Sequence, residues 1–366
     1  MTTDPLGAPG AMRTTGSDET AEPSIFVWDR GVRVFHWGLA VSIFLCAYTG
    51  FLAPRNWLNV HLAAGAAVAG LVCFRLVWGG TGSTYALFRS FTVSPGAIRA
   101  HLGDIVRGRR QHYLGHNPLG AAMAYALLLV LTLLVVTGVV ALGGVVKQGP
   151  LAFATTFSAG SLAREGHQLL AFGLLGMIGA HLCGVVFETW FARENLVRAM
   201  LTGRKPAPLT TSMQTRRARS AAAAAIMAAI AAIVVPGTVL LSALPGRGVP
   251  AEPADAVYAR ECGGCHFAYP PSLAAAPLWT AVMDGLADHF GENASLDPDT
   301  TAKLRDWLSA RSAEHWDTRP ANRFRRGNPD EPNRITATPG WVRFHRTITP
   351  AVFTSSAVGA KGAGMR

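Results

Sequence analysis

Five stretches of roughly twenty apolar residues, near 33–53, 59–79, 119–143, 165–190 and 220–244, constrain this chain more than any other feature. As a helix, a run of that length spans the hydrocarbon core of a bilayer, and helices or closed barrels alone satisfy their backbone groups there. The chain is half hydrophobic and carries only 15% charged residues, too apolar for an ordinary soluble enzyme. Its formal charge of +11 does not point to nucleic acid. Most arginines lie in short segments beside the apolar runs, where they set topology.

Arg89, Arg99, Arg107, Arg109 and Arg110 lie between the second and third runs. Arg193, Arg198, Arg204, Lys205, Arg216, Arg217 and Arg219 lie between the fourth and fifth. The first–second loop offers only Arg55, and the third–fourth loop only Lys147 and Arg164. The positive-inside bias then places the N-terminus in the cytoplasm and, after five spans, the last 120 or so residues in the periplasm of a bacterium. Residues 1–24 read as a disordered tail without the order of a cleavable signal peptide, and 351–366 as a flexible tail. Ser94–Pro95 and Asn117–Pro118 read as helix caps followed by a first-turn proline. Ile98, Leu102, Ile105 and Val106 form the apolar stripe of a helix lying on the membrane surface. Pro236 is a potential kink in the fifth run.

Ionisable side chains inside spans are costly and mark function by default. His167 and His181 are fourteen residues apart in the fourth run, hence on one helix face about 21 Å apart along the axis. His36 opens the first run and His61 the second. With the N-terminus inside, depth pairs His61 with His167 and His36 with His181. Two bis-histidine sites at two depths suit two b-type haems in a four-helix bundle, and six-coordinate iron favours electron transfer over oxygen chemistry. Gly65, Gly173, Gly176, Gly179 and Gly184 would leave room for porphyrin planes or, alternatively, allow close helix packing. His101, His112, His116 and His315 read as surface residues. Arg75 reads either as a propionate partner or as a snorkelling side chain. Cys46, Cys73 and Cys183 read as small buried hydrophobes.

Cys262-x-x-Cys265-His266 has the spacing for covalent c-type haem, two thiols for the vinyl groups and the next histidine as axial ligand. A zinc site would need a second cysteine pair, and a thioredoxin-like site a βαβ pattern; neither is present. The distal ligand is expected to be His289, at the end of a helix closed by Gly291, with His345 second and Met283 third. A helix capped by Asp297 or Ser295 should pack Leu304, Trp307 and Leu308 beneath the haem.

Through WDRGVRVFHW at 28–37, VH…FRLVWG from Val60 to Gly79, GHNPLG at 115–120 and GH…AH at 166–181, residues 25–205 resemble the bacterial di-haem cytochrome b family that includes the b-type subunit of nickel–iron hydrogenases. That resemblance implies that His36, His61, His167 and His181 ligate two haems. Through CGGCHFAYPP, DHFGENASLD and RITATPGWVRFHR, residues 255–348 resemble the dihaem cytochrome c family. That family carries a second Cys-x-x-Cys-His near its C-terminus; this sequence has one, so one c-haem is expected.

The expected fold is all-α: a transmembrane four-helix haem bundle (25–205), a linker and fifth span (206–250), and a mainly α periplasmic cytochrome c domain (251–350). The expected function is electron transfer in the inner membrane between the quinone pool and a periplasmic redox protein such as a soluble cytochrome c. The cofactors would be two haem b and one haem c, with membrane lipid around the bundle and quinone as substrate. Three alternatives stand beside it: a membrane anchor of a dehydrogenase or hydrogenase-like complex, a haem-based sensor, and a thiol–disulfide reductant using Cys262 and Cys265.

Overall fold

The computed structural model describes residues 24–206, 216–250 and 255–346, apart from 92, 110 and 192. The two expected tails lie outside the described residues, save Ser24. Five helical stretches are long and apolar enough to cross a membrane: Arg30–Leu52, Leu58–Thr81, Pro118–Val146, Phe157–Trp190 and Ser220–Ser242. The protein is a multi-pass membrane protein with almost no strand.

In chain order the elements begin with β1 (Ser24–Phe26), α1 (Arg30–Ala47), α2 (Leu58–Thr81), α3 (Pro95–Val106), α4 (Pro118–Ala141) and α5 (Phe157–Phe191). They continue with α6 (Leu196–Thr202), β2 (Arg204–Pro206), α7 (Ser220–Ser242), α8 (Ala256–Gly263), α9 (Ala276–Asp284), α10 (Pro298–Ser309), α11 (Arg319–Phe324) and α12 (Pro339–His345). Single π-turns extend α1 over Tyr48–Leu52 and α4 over Leu142–Val146. Local chemistry explains several boundaries. Ser94 Oγ accepts from Ala97 N–H at 3.1 Å to cap α3, and Asn117 Oδ1 accepts from Gly120 N–H at 2.6 Å ahead of Pro118. Asp297, not Ser295, caps α10 through Thr300 N–H at 2.9 Å. Helix α7 runs unbroken through Pro236. The fourth span starts at Phe157 rather than near 165. Its first two turns, FSAGSLARE, are too polar for an apolar-run criterion but are capped by Thr156 Oγ1, which accepts from Ala159 N–H at 3.2 Å.

The chain divides into two compact units. One comprises the described part of Met1–Gly38 with Arg75–Ala122 and Leu182–Ala223. Here β1 pairs antiparallel with β2, Ile25 opposite Lys205. An N-terminal segment can pair with one that follows four spans only if both lie on the same side, so this ladder agrees with an even number of crossings between them. Arg219 N–H donates to Thr81 O at 2.8 Å, tying the start of α7 to the end of α2.

The second unit comprises Leu39–Phe74, Met123–His181 and the described part of Ala224–Arg366. Val68, Val72, Leu131 and Leu174 form its membrane core, with Leu39, Ile43, Cys46 and Ile178 packed around them, so α1, α2, α4 and α5 meet at one cluster. In lipid such contacts are held by packing rather than by water exclusion. A separate core joins Tyr258, Ala274, Leu278, Trp279, Met283, Leu304 and Leu308, chiefly from α8, α9 and α10. Each buried aromatic in it satisfies its polar tip: Tyr258 Oη donates to Tyr269 O at 2.6 Å and Trp279 Nε1 to Pro271 O at 2.8 Å. Those two bonds pin the chain on the far side of the Cys-x-x-Cys-His loop.

Candidate haem sites

His61 on α2 and His167 on α5 face each other with ring centres 6.2 Å apart, planes at 69°. Thr49, in the π-turn after α1, donates its hydroxyl proton to Leu45 O at 2.6 Å, which leaves its oxygen to accept from His61 Nδ1–H at 3.0 Å. His167 Nδ1–H donates to Leu134 O at 3.0 Å, with Thr137 Oγ1 3.2 Å away. Both Nδ1 atoms are thus engaged and both Nε2 atoms are left for a ligand, the tautomer a metal-bound imidazole requires. Thr49 and Thr137 are each followed by glycine. A Cβ on Gly50 would sit 3.5 Å from His61 Cε1, and one on Gly138 3.3 Å from His167 Cε1. Sequence reading overlooked these two Thr-Gly pairs. Their signal was a TG dipeptide near the ends of the first and third spans, one that Thr81–Gly82 repeats at the end of the second.

His266 and His289 repeat the spacing outside the bundle, with ring centres 6.2 Å apart and planes at 24°. His266 Nδ1–H donates to Phe267 O at 2.9 Å. His289 ends a helical segment as expected, though not α9 itself. Helix α9 stops at Asp284, the 3-10 turn Leu286–Asp288 follows, and His289 closes it and enters a tight two-residue turn through Phe290 (φ 58) and Gly291 (φ 93), bonding reciprocally with Glu292. Two consecutive positive φ angles are what such a turn needs, and glycine takes the second without steric cost. Burial, then the neighbouring His266, lowers the pKa of His289 and keeps it neutral, the ligating form. Cys262 closes α8 and Cys265 is exposed three residues on. Burial, then Glu261, raises the Cys262 thiol, which is unfavourable for a thiol–disulfide nucleophile.

His345 instead stacks on Trp341 at 4.0 Å and donates Nδ1–H to Trp341 O at 2.9 Å. Met283 is 4% exposed, inside the apolar core of this part of the chain. His36 is half-buried on α1 with its ring edge-on to Trp37 at 5.2 Å, and His181 is half-buried on α5. These two belong to different compact units.

Two separately placed imidazole pairs fit haem. A metal–imidazole bond is about 2 Å and the ring centre lies roughly 1 Å behind its nitrogen, so two axial ligands on one iron have centres about 6 Å apart. Among the described residues no cluster of three or more His, Cys, Asp or Glu side chains could hold a bare ion. A Cβ on Gly65, Gly173, Gly176, Gly179 or Gly184 would meet no atom within 4 Å, so these glycines do not mediate close helix packing.

Several loop residues depart from expectation. His101 is 5% exposed, not on the surface: its ring lies edge-on to Tyr113 at 5.3 Å, with Glu188 3.8 Å from Nε2. His116 packs against Phe91 (4.3 Å) and Trp28 (4.9 Å), and burial, then Arg75 and Lys205, lowers its pKa to about 4. Arg75 does not snorkel. It is 5% exposed, with its guanidinium 4.6 Å over the Phe88 ring. A carboxylate and aromatic faces make these burials affordable, and neither is visible from local sequence. His112 and His315 are exposed as expected, and Cys183 points outward rather than into a core.

Residues 27–203 match the family model for prokaryotic cytochrome b561, and residues 258–364 that for dihaem cytochrome c. A probable Ni/Fe-hydrogenase B-type cytochrome subunit from Bradyrhizobium diazoefficiens is 22% identical over 227 residues, 53% of this chain and 91% of the relative. Two structures of dihaem cytochrome c from Rhodobacter sphaeroides are 30% and 34% identical. They cover 31% and 30% of this chain and 89% of each structure, with TM-scores of 0.24 and 0.26. The chain therefore joins a member of the prokaryotic cytochrome b561 family to a member of the dihaem cytochrome c family that bears one Cys-x-x-Cys-His motif, and it is a haem-dependent membrane electron-transfer cytochrome.

Proposed function

We propose that the protein carries electrons between the quinone pool and a periplasmic redox protein such as a soluble cytochrome c, through two b-type haems and one c-type haem. His61 with His167 would hold one b-type haem, and His36 with His181 the other. Cys262 and Cys265 would anchor the c-type haem, with His266 and His289 as its axial pair. Bound haem supplies reversible one-electron transfer, and imidazole on both faces leaves no open position for oxygen. Thr49 and Leu134 orient the membrane imidazoles, while the Phe290–Gly291 turn aims His289. Oxidation of a quinol releases two electrons and two protons; the electrons would leave one at a time. The N-terminus lies in the cytoplasm and the c-type domain in the periplasm, following the arginine distribution.

The observation that carries this reading is the recurrence of one spacing, 6.2 Å between imidazole centres, in two unrelated parts of the chain. The hydrogenase cytochrome subunit among the relatives favours a second reading, a membrane anchor exchanging electrons with a bound catalytic subunit. A pyridine haemochrome spectrum with haem staining on a denaturing gel tests the first. The expected result is a b-to-c ratio near two to one with stain retained on the chain. Absence of covalent haem would remove the periplasmic exit.

A further inference from the structure

We propose that Asp317 is a latch that seats the c-type domain on the α4–α5 loop, fixing the geometry at which electrons pass between the His61–His167 and Cys262–His266 sites. The proposal rests on reading both as haem sites. Lys147 follows the π-turn of α4 in a left-handed conformation (φ 60), with its side chain only 7% exposed. An ammonium so buried needs both charge and hydrogen-bond partners. It donates to Thr155 O at 3.0 Å and to Asp317 Oδ2 at 2.9 Å. The same carboxylate oxygen accepts from Phe157 N–H at 2.7 Å. That N–H is one of the first-turn donors that α5 cannot satisfy itself. The span that bears His167 therefore receives its cap from a residue 160 positions away, in the other domain.

The linker after α7 completes the joint. Asp317 N–H donates to Gly248 O at 2.9 Å, and Arg247 N–H to Ala152 O at 2.8 Å. Gly248 has φ 64, and a Cβ there would lie 2.5 Å from Asp317 Cβ, so backbone and carboxylate bearer meet at contact distance. Asn322 Nδ2 holds the second carboxylate oxygen at 3.3 Å. A flexible tether alone would leave a broad distribution of separations. Because electron transfer falls steeply with distance, one fixed seat gives one rate. The step moves one electron from the reduced site to the oxidised one, with no proton transferred.

The test compares the full-length protein with D317A and K147M in lipid nanodiscs. Two readouts are taken: the rate of electron passage between b- and c-type haem after flash reduction, and proteolysis of the linker following α7. D317A is expected to slow passage at least tenfold and to speed linker cleavage, with both haem spectra unchanged. K147M should act in the same direction but less, because the Phe157 cap remains. Should D317A fail to accumulate, D317N keeps an acceptor for Phe157 N–H while losing the charge, and is expected to fall between the other two. Unchanged rate and unchanged cleavage in D317A would overturn the latch. A wild-type chain without covalent haem would overturn the underlying haem reading, while the cleavage comparison would still decide the latch.

Discussion

Replacing Thr49 with valine should disturb the membrane haem site more than the same change at Thr137. The side chains are nearly isosteric, so packing changes little and the hydroxyl is the variable. At Thr49 the hydroxyl oxygen is the acceptor within 3.0 Å of His61 Nδ1, and T49V leaves that N–H unpaired and half-buried. An unpaired buried donor costs about 1–3 kcal/mol. Loss of an outer partner of a metal-bound histidine costs about 10- to 100-fold in affinity, or about 1.4–2.7 kcal/mol. At His167 the Leu134 carbonyl accepts at 3.0 Å and survives T137V, so less than half that loss is expected. Removing the acceptor also weakens the imidazole as a donor to oxidised iron, and tenfold in relative affinity is about 59 mV for one electron. Spectroelectrochemical titration of the b-type bands, with haem content per chain, is the assay. An upward midpoint shift of some tens of mV or more is expected in T49V, with a clearly smaller one in T137V. Equal shifts, or a larger one in T137V, would refute the hydrogen-bond assignment.

Two further outcomes follow from the c-type domain. H289A should open an axial position on covalent haem, giving a high-spin spectrum that binds carbon monoxide, whereas H345A should leave the low-spin spectrum intact; the reverse would move the distal ligand to His345. Burial raises the Asp317 pKa, but hydrogen bonds from Lys147 and Phe157 N–H outweigh it and hold the carboxyl below the usual range. A depressed folded pKa contributes stability above the unfolded value and loses it only as pH falls through the folded one. Linker cleavage should therefore stay constant from neutral pH down to about pH 4, near the unfolded carboxylate value, and rise below it. A rise that begins near pH 6 would contradict this.

The spans and the histidines within them were legible because lipid imposes length and polarity rules on every residue. The Cys-x-x-Cys-His motif stood out because covalent haem attachment would demand that spacing. Hydrogen-bond partners were not. Thr49 lies twelve residues from His61, and Leu134 thirty-three from His167, each reached only once helices pack. His101 and His116 were misread for a related reason. A polar residue in an arginine-rich loop looks exposed until Glu188, Tyr113, Phe91 and Trp28 arrive from elsewhere. The start of α5 was misplaced because its cap is Thr156 together with Asp317, and nothing local to 157–165 announces the latter.

The two Thr-Gly pairs give the membrane site an approximate twofold character. Each helical hairpin, α1–α2 and α4–α5, supplies one imidazole and one supporting turn, and neither can complete an axial pair alone. A ligand bridging such halves does more than occupy them, since its binding free energy becomes cohesion between the hairpins. A haem held by His61 and His167 would then stabilise the assembled bundle as well as fill its site, adding to the packing that already joins α1, α2, α4 and α5.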